Sequence, residues 1–183
     1  MIIAGIDEAG RGCLAGSVVA GAVILPEKYP DNFFKDSKKI SEAKRNSVYK
    51  WIVENCAYGM GESSANEVDK LGIKEATRIA MCRAVENLAR NFKQNPEKLL
   101  IDGNDKFKFK IDSEDFIRGD ERIAEISAAS IVAKVSRDKM LRNLGNVYPT
   151  YGFENHKGYG TFQHIEAIKM LGVIDGVHRK TYE

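Results

Sequence analysis

Two adjacent acids, Asp7 and Glu8, stand where the apolar run Ile2-Ile3-Ala4-Gly5-Ile6 gives way to Ala9-Gly10-Arg11-Gly12. A carboxylate pair at the end of a core strand is unfavourable unless something cationic compensates it. Asp102 repeats the pattern, following Leu99-Leu100-Ile101 and preceding Gly103, and Asp120 follows Gly119 just ahead of a helical pattern. Each placement fixes a carboxylate on rigid framework within reach of solvent. Oxygen donors of this kind suit Mg²⁺ or Mn²⁺, and no His/Cys set has the spacing to hold a softer ion. The bland alternative is an Asp that caps a turn or a helix; it explains any one of these acids better than it explains the adjacent pair together with Asp102. Neighbouring strand residues point to opposite faces. Asp7 and Glu8 therefore serve one ion through both side chains only if the turn at Ala9-Gly10 begins early; otherwise Glu8 offers its carbonyl or serves a second ion.

Other residues extend this constellation. Gly10 and Gly12 permit positive φ and close backbone approach, and Arg11 adds a planar fork suited to phosphate or carboxylate. Asp36-Ser37-Lys38-Lys39 precedes a helix start, where a phosphate can be held. His156-Lys157-Gly158-Tyr159-Gly160 offers a basic residue and a ring able to stack on a sugar or base. Lys134, Arg137 and Asp138 read either as surface charges or as groups that orient the site. His178 and Arg179 have no role legible from spacing.

The elements that must position these residues follow from periodicity. Residues 1–7 and 17–25 read as strands of an antiparallel hairpin, ended by Pro26 and Pro30. Ser41 is the expected N-cap of a helix with Val48, Trp51 and Ile52 on one side. Residues 57–63 read as a third strand, and Ser64 with Glu67 has capping-box spacing. A longer helix puts Ile73, Thr77, Ala80, Met81, Ala84, Val85, Leu88 and Phe92 on one stripe. Lys98 to Asp102 is a short buried strand. Phe107, Phe109 and Ile111 alternate with Lys106, Lys108 and Lys110 as a period-two ribbon. A helix is expected over 122–144, its small residues at Ala128-Ala129-Ser130 allowing close packing on the sheet, with Gly145 as its stop. A last helix runs over 162–171. Strands followed by alternating helices and strands imply an α/β or α+β domain with a mixed sheet.

At 183 residues, with 43% apolar and 30% charged, the chain suits one well-solvated domain. No apolar run approaches the roughly 20 residues of a membrane span, and the N-terminus lacks a basic leader. Three scattered cysteines, Cys13, Cys56 and Cys82, form no disulfide framework, so a cytoplasmic protein is expected. A net charge of +2 decides little about nucleic acid, since carboxylates that hold metals offset the bases that hold phosphates.

Assembled in order, Asp7-Glu8-Ala9-Gly10-Arg11-Gly12, Asp36-Ser37-Lys38, Ile101-Asp102-Gly103, Gly119-Asp120, Ala128 to Asp138 and His156-Lys157-Gly158-Tyr159 resemble the bacterial type of the ribonuclease HII family over nearly the whole chain. Arg11 favours that type over ribonuclease HIII, which carries Lys there and an added N-terminal domain. The resemblance implies a ribonuclease H-like α/β fold, a mixed five-stranded sheet flanked by helices, in a single catalytic domain over 1–183 without the extended C-terminal region of some members. It implies endonucleolytic hydrolysis of the RNA strand of RNA–DNA hybrids and incision 5′ to single ribonucleotides in duplex DNA, leaving 5′-phosphate and 3′-hydroxyl. The family carboxylates map to Asp7, Glu8, Asp102 and Asp120, the 2′-hydroxyl sensor to Gly10, Arg11 and Gly12, and the sugar-stacking ring to Tyr159. Lys38 and Lys157 are looser phosphate contacts. The expected mechanism is hydrolysis with two Mg²⁺ or Mn²⁺ ions, one held mainly by Asp7 and Asp102. The expected partners are nucleic acids, with no membrane, and the expected state is a monomer. Two rivals keep part of these observations: a structure-selective DNA nuclease using the same acids, and a non-enzymatic nucleic-acid binder in which the acids are caps.

Overall fold

The computed structural model describes residues 1–30, 32–34, 40–93 and 95–182. In chain order the elements are β1 Ile3–Ala9, β2 Val18–Ile24, α1 Glu42–Asn55, β3 Ala57–Ser63, α2 Ala65–Leu71, α3 Ile73–Phe92, β4 Lys98–Asp102 and β5 Asp112–Phe116, then α4 Ala124–Val147, α5 Phe153–His156 and α6 Phe162–Leu171. Short 3-10 turns at Gly119–Glu121 and Pro149–Tyr151 flank α4. The sheet runs β3-β2-β1-β4-β5. Its first three strands pair antiparallel, and β1, β4 and β5 run parallel. This is the expected mixed sheet, with helices on both faces. Among the described residues, no helix is long and apolar enough to cross a membrane.

The stripe on α3 packs on one face, where Ala80, Met81, Ala84 and Leu88 meet Ala4, Ile6, Leu99 and Ile101. On the other face α4 and α1 enclose Val23, Val48, Ile52, Ala128, Ala129 and Val132. Glycines in the sheet let α4 settle unusually close. A Cβ on Gly5 would lie 2.0 Å from the Glu125 carbonyl carbon, and one on Gly21 would lie 2.4 Å from the Ala129 carbonyl oxygen. The small residues of α4 thus have small partners beneath them, as the sequence suggests. A third apolar cluster, Ala15, Leu141, Tyr151 and Phe153, ties the chain's end to the far end of α4.

The helix starts behave as the caps predict. Ser41 Oγ accepts from Lys44 N–H, and Ser64 with Glu67 forms the full capping box. Two expectations are corrected. The 107–111 ribbon forms no ladder: Phe107, Phe109 and Ile111 are half-buried against the α3-side core while the intervening lysines face water. The edge strand is instead β5, Asp112-Ser113-Glu114-Asp115-Phe116, which pairs with β4. A polar sequence is what an exposed sheet edge favours, so no apolar alternation marks it. Nor does Gly145 stop α4. The helix runs on to Val147, before Pro149, whose ring disfavours helical geometry in the residue preceding it. Gly145 serves contact instead, since a Cβ there would lie 2.5 Å from Glu154 Oε2.

Candidate active site

The carboxylates meet because two parallel strands end together. Ile6 is level with Ile101 in the β1–β4 register, so one step further sets Asp7 beside Asp102 on the α4 face. Across β1, Asp7 lies opposite Gly21 and Glu8 opposite Ala20. The β1 ladder continues through Ala9, so the turn does not begin early and the two acids keep opposite orientations. Both nonetheless border one cleft of about 380 Å³, together with Gly10, Arg45, Asp102, Ser130, Lys134 and Tyr159. Arg45 carried no signal in the sequence, and Ser130 only that of a small residue within the Ala128 to Asp138 segment.

Burial dominates the electrostatics. It raises Asp7 well above the usual carboxylate range, and the charges of Glu8 and Asp102 add to the rise. The Ser130 hydroxyl and the Glu8 N–H, at 2.7 Å from Asp7 Oδ1, offset only part of this. Burial also raises Glu8, against the pull of Arg11. Asp102 Oδ1 accepts from the Asp120 N–H at 3.3 Å. The Asp120 side chain is fully buried and is not among those bordering the cleft. Among the described residues, no three carboxylate, histidine or cysteine side chains are already set as a ligand group. The donors are all oxygen, however; the charges of Glu8 and Asp102 raise the proton affinity of Asp7, and that of Asp102 raises Glu8. A hard divalent cation fits that donor set and relieves the repulsion.

The loop after β1 is shaped by two buried arginines. Gly10 has φ +91°, and a Cβ there would lie 2.0 Å from Arg137 Nε, so backbone and packing both demand glycine. Nothing lies within 4 Å of a Cβ built on Gly12, and its φ is ordinary; the fold itself does not require glycine there. The Arg11 guanidinium donates to Asp105 Oδ2 at 2.6 Å and Glu8 Oε1 at 3.3 Å, with Lys74 3.4 Å from Asp105. The Arg11 carbonyl accepts from Arg179 Nη1 at 2.9 Å and the Tyr182 hydroxyl at 2.7 Å.

Arg137, 1% exposed, donates to the carbonyls of Ser17, Lys157 and Ala15 at 3.0, 2.8 and 2.9 Å. Arg179, 3% exposed, donates twice to the Gly16 carbonyl and once to that of Arg11. Burying a guanidinium is costly unless its donors are satisfied, and here carbonyls from separate loops satisfy them. Of the two readings open for Arg137, the orienting one is what the geometry bears out, and Arg179 acquires a place that spacing did not reveal.

Tyr159 is 43% exposed at the cleft edge. Its ring lies 5.8 Å from Lys134 Nζ and 6.0 Å from Arg137 Cζ, and its hydroxyl is hydrogen-bonded to buried Cys13. Lys134 also pairs with Asp138 at 2.8 Å. Lys157 does not border the cleft; its ammonium donates to the Glu154 carbonyl. Lys38, with Asp36, Ser37 and Lys39, lies outside the described residues. Asp7, Glu8, Gly10, Asp102 and Tyr159 are therefore gathered in one cleft, with Arg11 and Gly12 continuing the loop at its side. Asp105 was not anticipated: it holds Arg11 across 94 positions of sequence, a separation that local patterns cannot register.

Comparison with known proteins gives a consistent result. The sequence model of one family, Ribonuclease HII, matches residues 4–183. Ribonuclease HII of Fusobacterium nucleatum is 48% identical, covering 98% of this chain and 85% of that protein. Ribonuclease HII of Bacillus cytotoxicus is 51% identical over 98% of this chain and 68% of its own length. Among solved structures, the PCNA:RNase HII complex from Archaeoglobus fulgidus superposes with a TM-score of 0.82 at 26% identity, over 100% of this chain and 96% of the matched chain. The order of the sheet, the carboxylates at its parallel strand ends and the full-length sequence match agree, and the chain belongs to the ribonuclease HII family of ribonuclease H enzymes.

Proposed function

We propose that this chain hydrolyses the RNA strand of RNA–DNA hybrids endonucleolytically and incises duplex DNA 5′ to a single embedded ribonucleotide, leaving 5′-phosphate and 3′-hydroxyl. That activity suits the removal of ribonucleotides from DNA. The observation that carries the reading is the sharing of one cleft by Asp7, Glu8, Asp102 and Tyr159, with the Gly10–Gly12 loop beside them. Acids alone fit any metal nuclease. Acids beside an exposed ring and an accessible backbone fit one that also inspects a sugar.

In this reading Asp7, Glu8 and Asp102 hold Mg²⁺ or Mn²⁺, with Asp120 supporting from behind Asp102. Divalent ions bound there supply an activated water and neutralise charge at the leaving 3′ oxygen. The chain's own residues do the rest. Asp7 is fixed by Ser130 and the Glu8 N–H, so its oxygens need no reorganisation. Arg11 is committed to Glu8 and Asp105, so its side chain orients the acid while the Gly10–Gly12 backbone meets the ribose. A site built to satisfy a hydroxyl discriminates strongly against a sugar that lacks one. Tyr159 stacks on that sugar. Arg45 and Lys134, both bordering the cleft, neutralise phosphates; Lys38 and Lys157 are further phosphate contacts, Lys157 after leaving the Glu154 carbonyl. In this reading the chain acts as a monomer.

The test is gel-resolved cleavage of a duplex with one embedded ribonucleotide, of an RNA–DNA hybrid and of an all-DNA duplex, with and without Mg²⁺. Metal-dependent cuts 5′ to the ribonucleotide and within the hybrid are expected, with the all-DNA duplex intact. Cleavage of all-DNA duplex at the same rate, or no product at any metal concentration, defeats the reading.

A further inference from the structure

The chain has three histidines, His156, His164 and His178, and all are buried in one group behind Tyr159. Their hydrogen bonds fix which nitrogens carry protons. The Ile174 N–H donates to His178 Nδ1 at 2.8 Å, so the His178 proton is on Nε2. That N–H points at His164 Nε2, 3.1 Å away, which must accept. The His164 proton is then on Nδ1, where it donates to the Tyr159 carbonyl at 2.9 Å. His156 is equally determined. Its Nε2–H donates to the Tyr151 carbonyl at 2.8 Å, its Nδ1 accepts from the Gly158 N–H at 3.1 Å, and its ring stacks on His164 at 4.1 Å. The result is a directed chain of neutral donors, from Ile174 through His178 and His164 to the backbone of Tyr159.

The neighbouring residue on the same segment, Arg179, holds the loop after β1 through the carbonyls of Arg11 and Gly16, and that loop meets the Tyr159 segment where the Leu14 N–H donates to the Gly158 carbonyl at 2.8 Å. Ile174 to Arg179 thus touches both of the elements to which the proposed function assigns ribose recognition: the loop after β1 directly, and Tyr159 through two imidazoles. We propose that His164 is a positioning residue for Tyr159, and that His178 and Arg179 brace the ring and the Gly10–Gly12 loop at a set separation so that both meet one sugar. This rests on the function proposed above. A neutral His164 is what the brace needs, because a proton on its Nε2 would oppose the His178 N–H. Burial favours that state, holding His164 at about 4.

The test is a double-substitution cycle, read as kcat/KM on a duplex with one embedded ribonucleotide. His164→Leu removes the donor to Tyr159 and is expected to lower kcat/KM on the order of tenfold or more, as small misplacements of a substrate-positioning group do. His164→Asn keeps an N–H near the place of Nδ1 and is expected to restore most of the loss. In a Tyr159→Ala background, with no ring to position, His164→Leu should change kcat/KM by less than about twofold, the signature of residues that act as one unit. Equal losses in the two backgrounds overturn the inference, because His164 then acts on the fold at large. Should His164→Leu fail to fold, the unaltered chain decides. Imidazole ¹⁵N shifts with Nδ1 protonated and Nε2 bare at His164 support the brace, and the opposite tautomer overturns it. The proposed function fails separately: an unaltered chain that leaves the ribonucleotide strand intact overturns that reading, and the role of Tyr159 with it.

Discussion

The cleft has two ends built on opposite principles. At the acidic end, buried Asp7 is crowded by the half-buried Glu8 and Asp102, and Arg11 pulls against the rise of Glu8 alone. At the end proposed to meet the sugar, Arg137, Arg179 and the three histidines are deeply buried, and their donors and acceptors find partners within the protein. The contrast separates two uses of buried polarity. A satisfied network of donors and acceptors specifies a geometry, whereas carboxylates crowded together in a buried cleft favour a cation. The acidic end should therefore cost stability and supply catalysis, and the sugar end should supply stability.

The largest effect expected from this contrast is at Asp7. Asp7→Asn removes a charge while keeping the shape, and kcat on a ribonucleotide-containing duplex should fall by ~10²-fold or more. The melting temperature without metal should hold or rise. A variant that cleaves normally, or that melts well below the parent, breaks the comparison at its acidic end. Next comes Arg137→Met, which strands the carbonyls of Ala15, Ser17 and Lys157; urea unfolding should show a loss of about 3 kcal/mol. Arg137→Lys should recover little of it, since one ammonium lacks the fork that reaches three carbonyls on two loops.

Acid should act with opposite sign at the two ends. Burial pushes His164 down to about 4 from 6.5 and lowers His178 as well, with His156 adding to both shifts. The unfolded chain then binds more protons than the folded one over that range. The histidine contribution is therefore complete above about 6.5 and is lost as pH falls toward 4. Asp7 and Glu8 are raised, so their repulsion is relieved in acid and partly offsets the loss. Melting followed from pH 7 to pH 4 in low salt should fall, and fall more steeply in Asp7→Asn; parallel curves contradict the division. The smallest effect is at Gly12. Gly12→Ala should leave stability within about 0.5 kcal/mol while lowering the preference for a ribonucleotide over all-DNA duplex. Gly10→Ala, by contrast, should unfold at visibly lower urea.

Much of this was legible in the residues, for reasons that also explain what was not. Periodicity located β3, α3 and α6, and capping chemistry located the starts of α1 and α2, because those signals depend on near neighbours. The strand-end positions of Asp7 and Asp102 pointed to one site, since parallel strands of a sheet bring such ends together. β5 escaped because its partner is remote and its composition is that of a solvated edge. Gly145 misled because a glycine stops a helix or admits a neighbour with the same letter. Asp105, Arg45 and the His164–His178 pair are joined to the site by tertiary contacts alone. The resemblance to a family supplied roles for Gly10, Gly12 and Tyr159, but it could not supply the arginines and histidines that hold them.

The grip of Arg179 and Tyr182 on the Arg11 carbonyl settles the direction of a group they never touch. A trans peptide is planar, with oxygen and hydrogen pointing to opposite sides. Pinning the Arg11 oxygen inward turns the amide hydrogen of Gly12 outward, and this peptide unit becomes a fixed dipole with its positive end presented. Two side chains behind the loop thereby aim a donor in front of it, and exchanging either one would free that plane to flip without altering any atom proposed to meet the ribose.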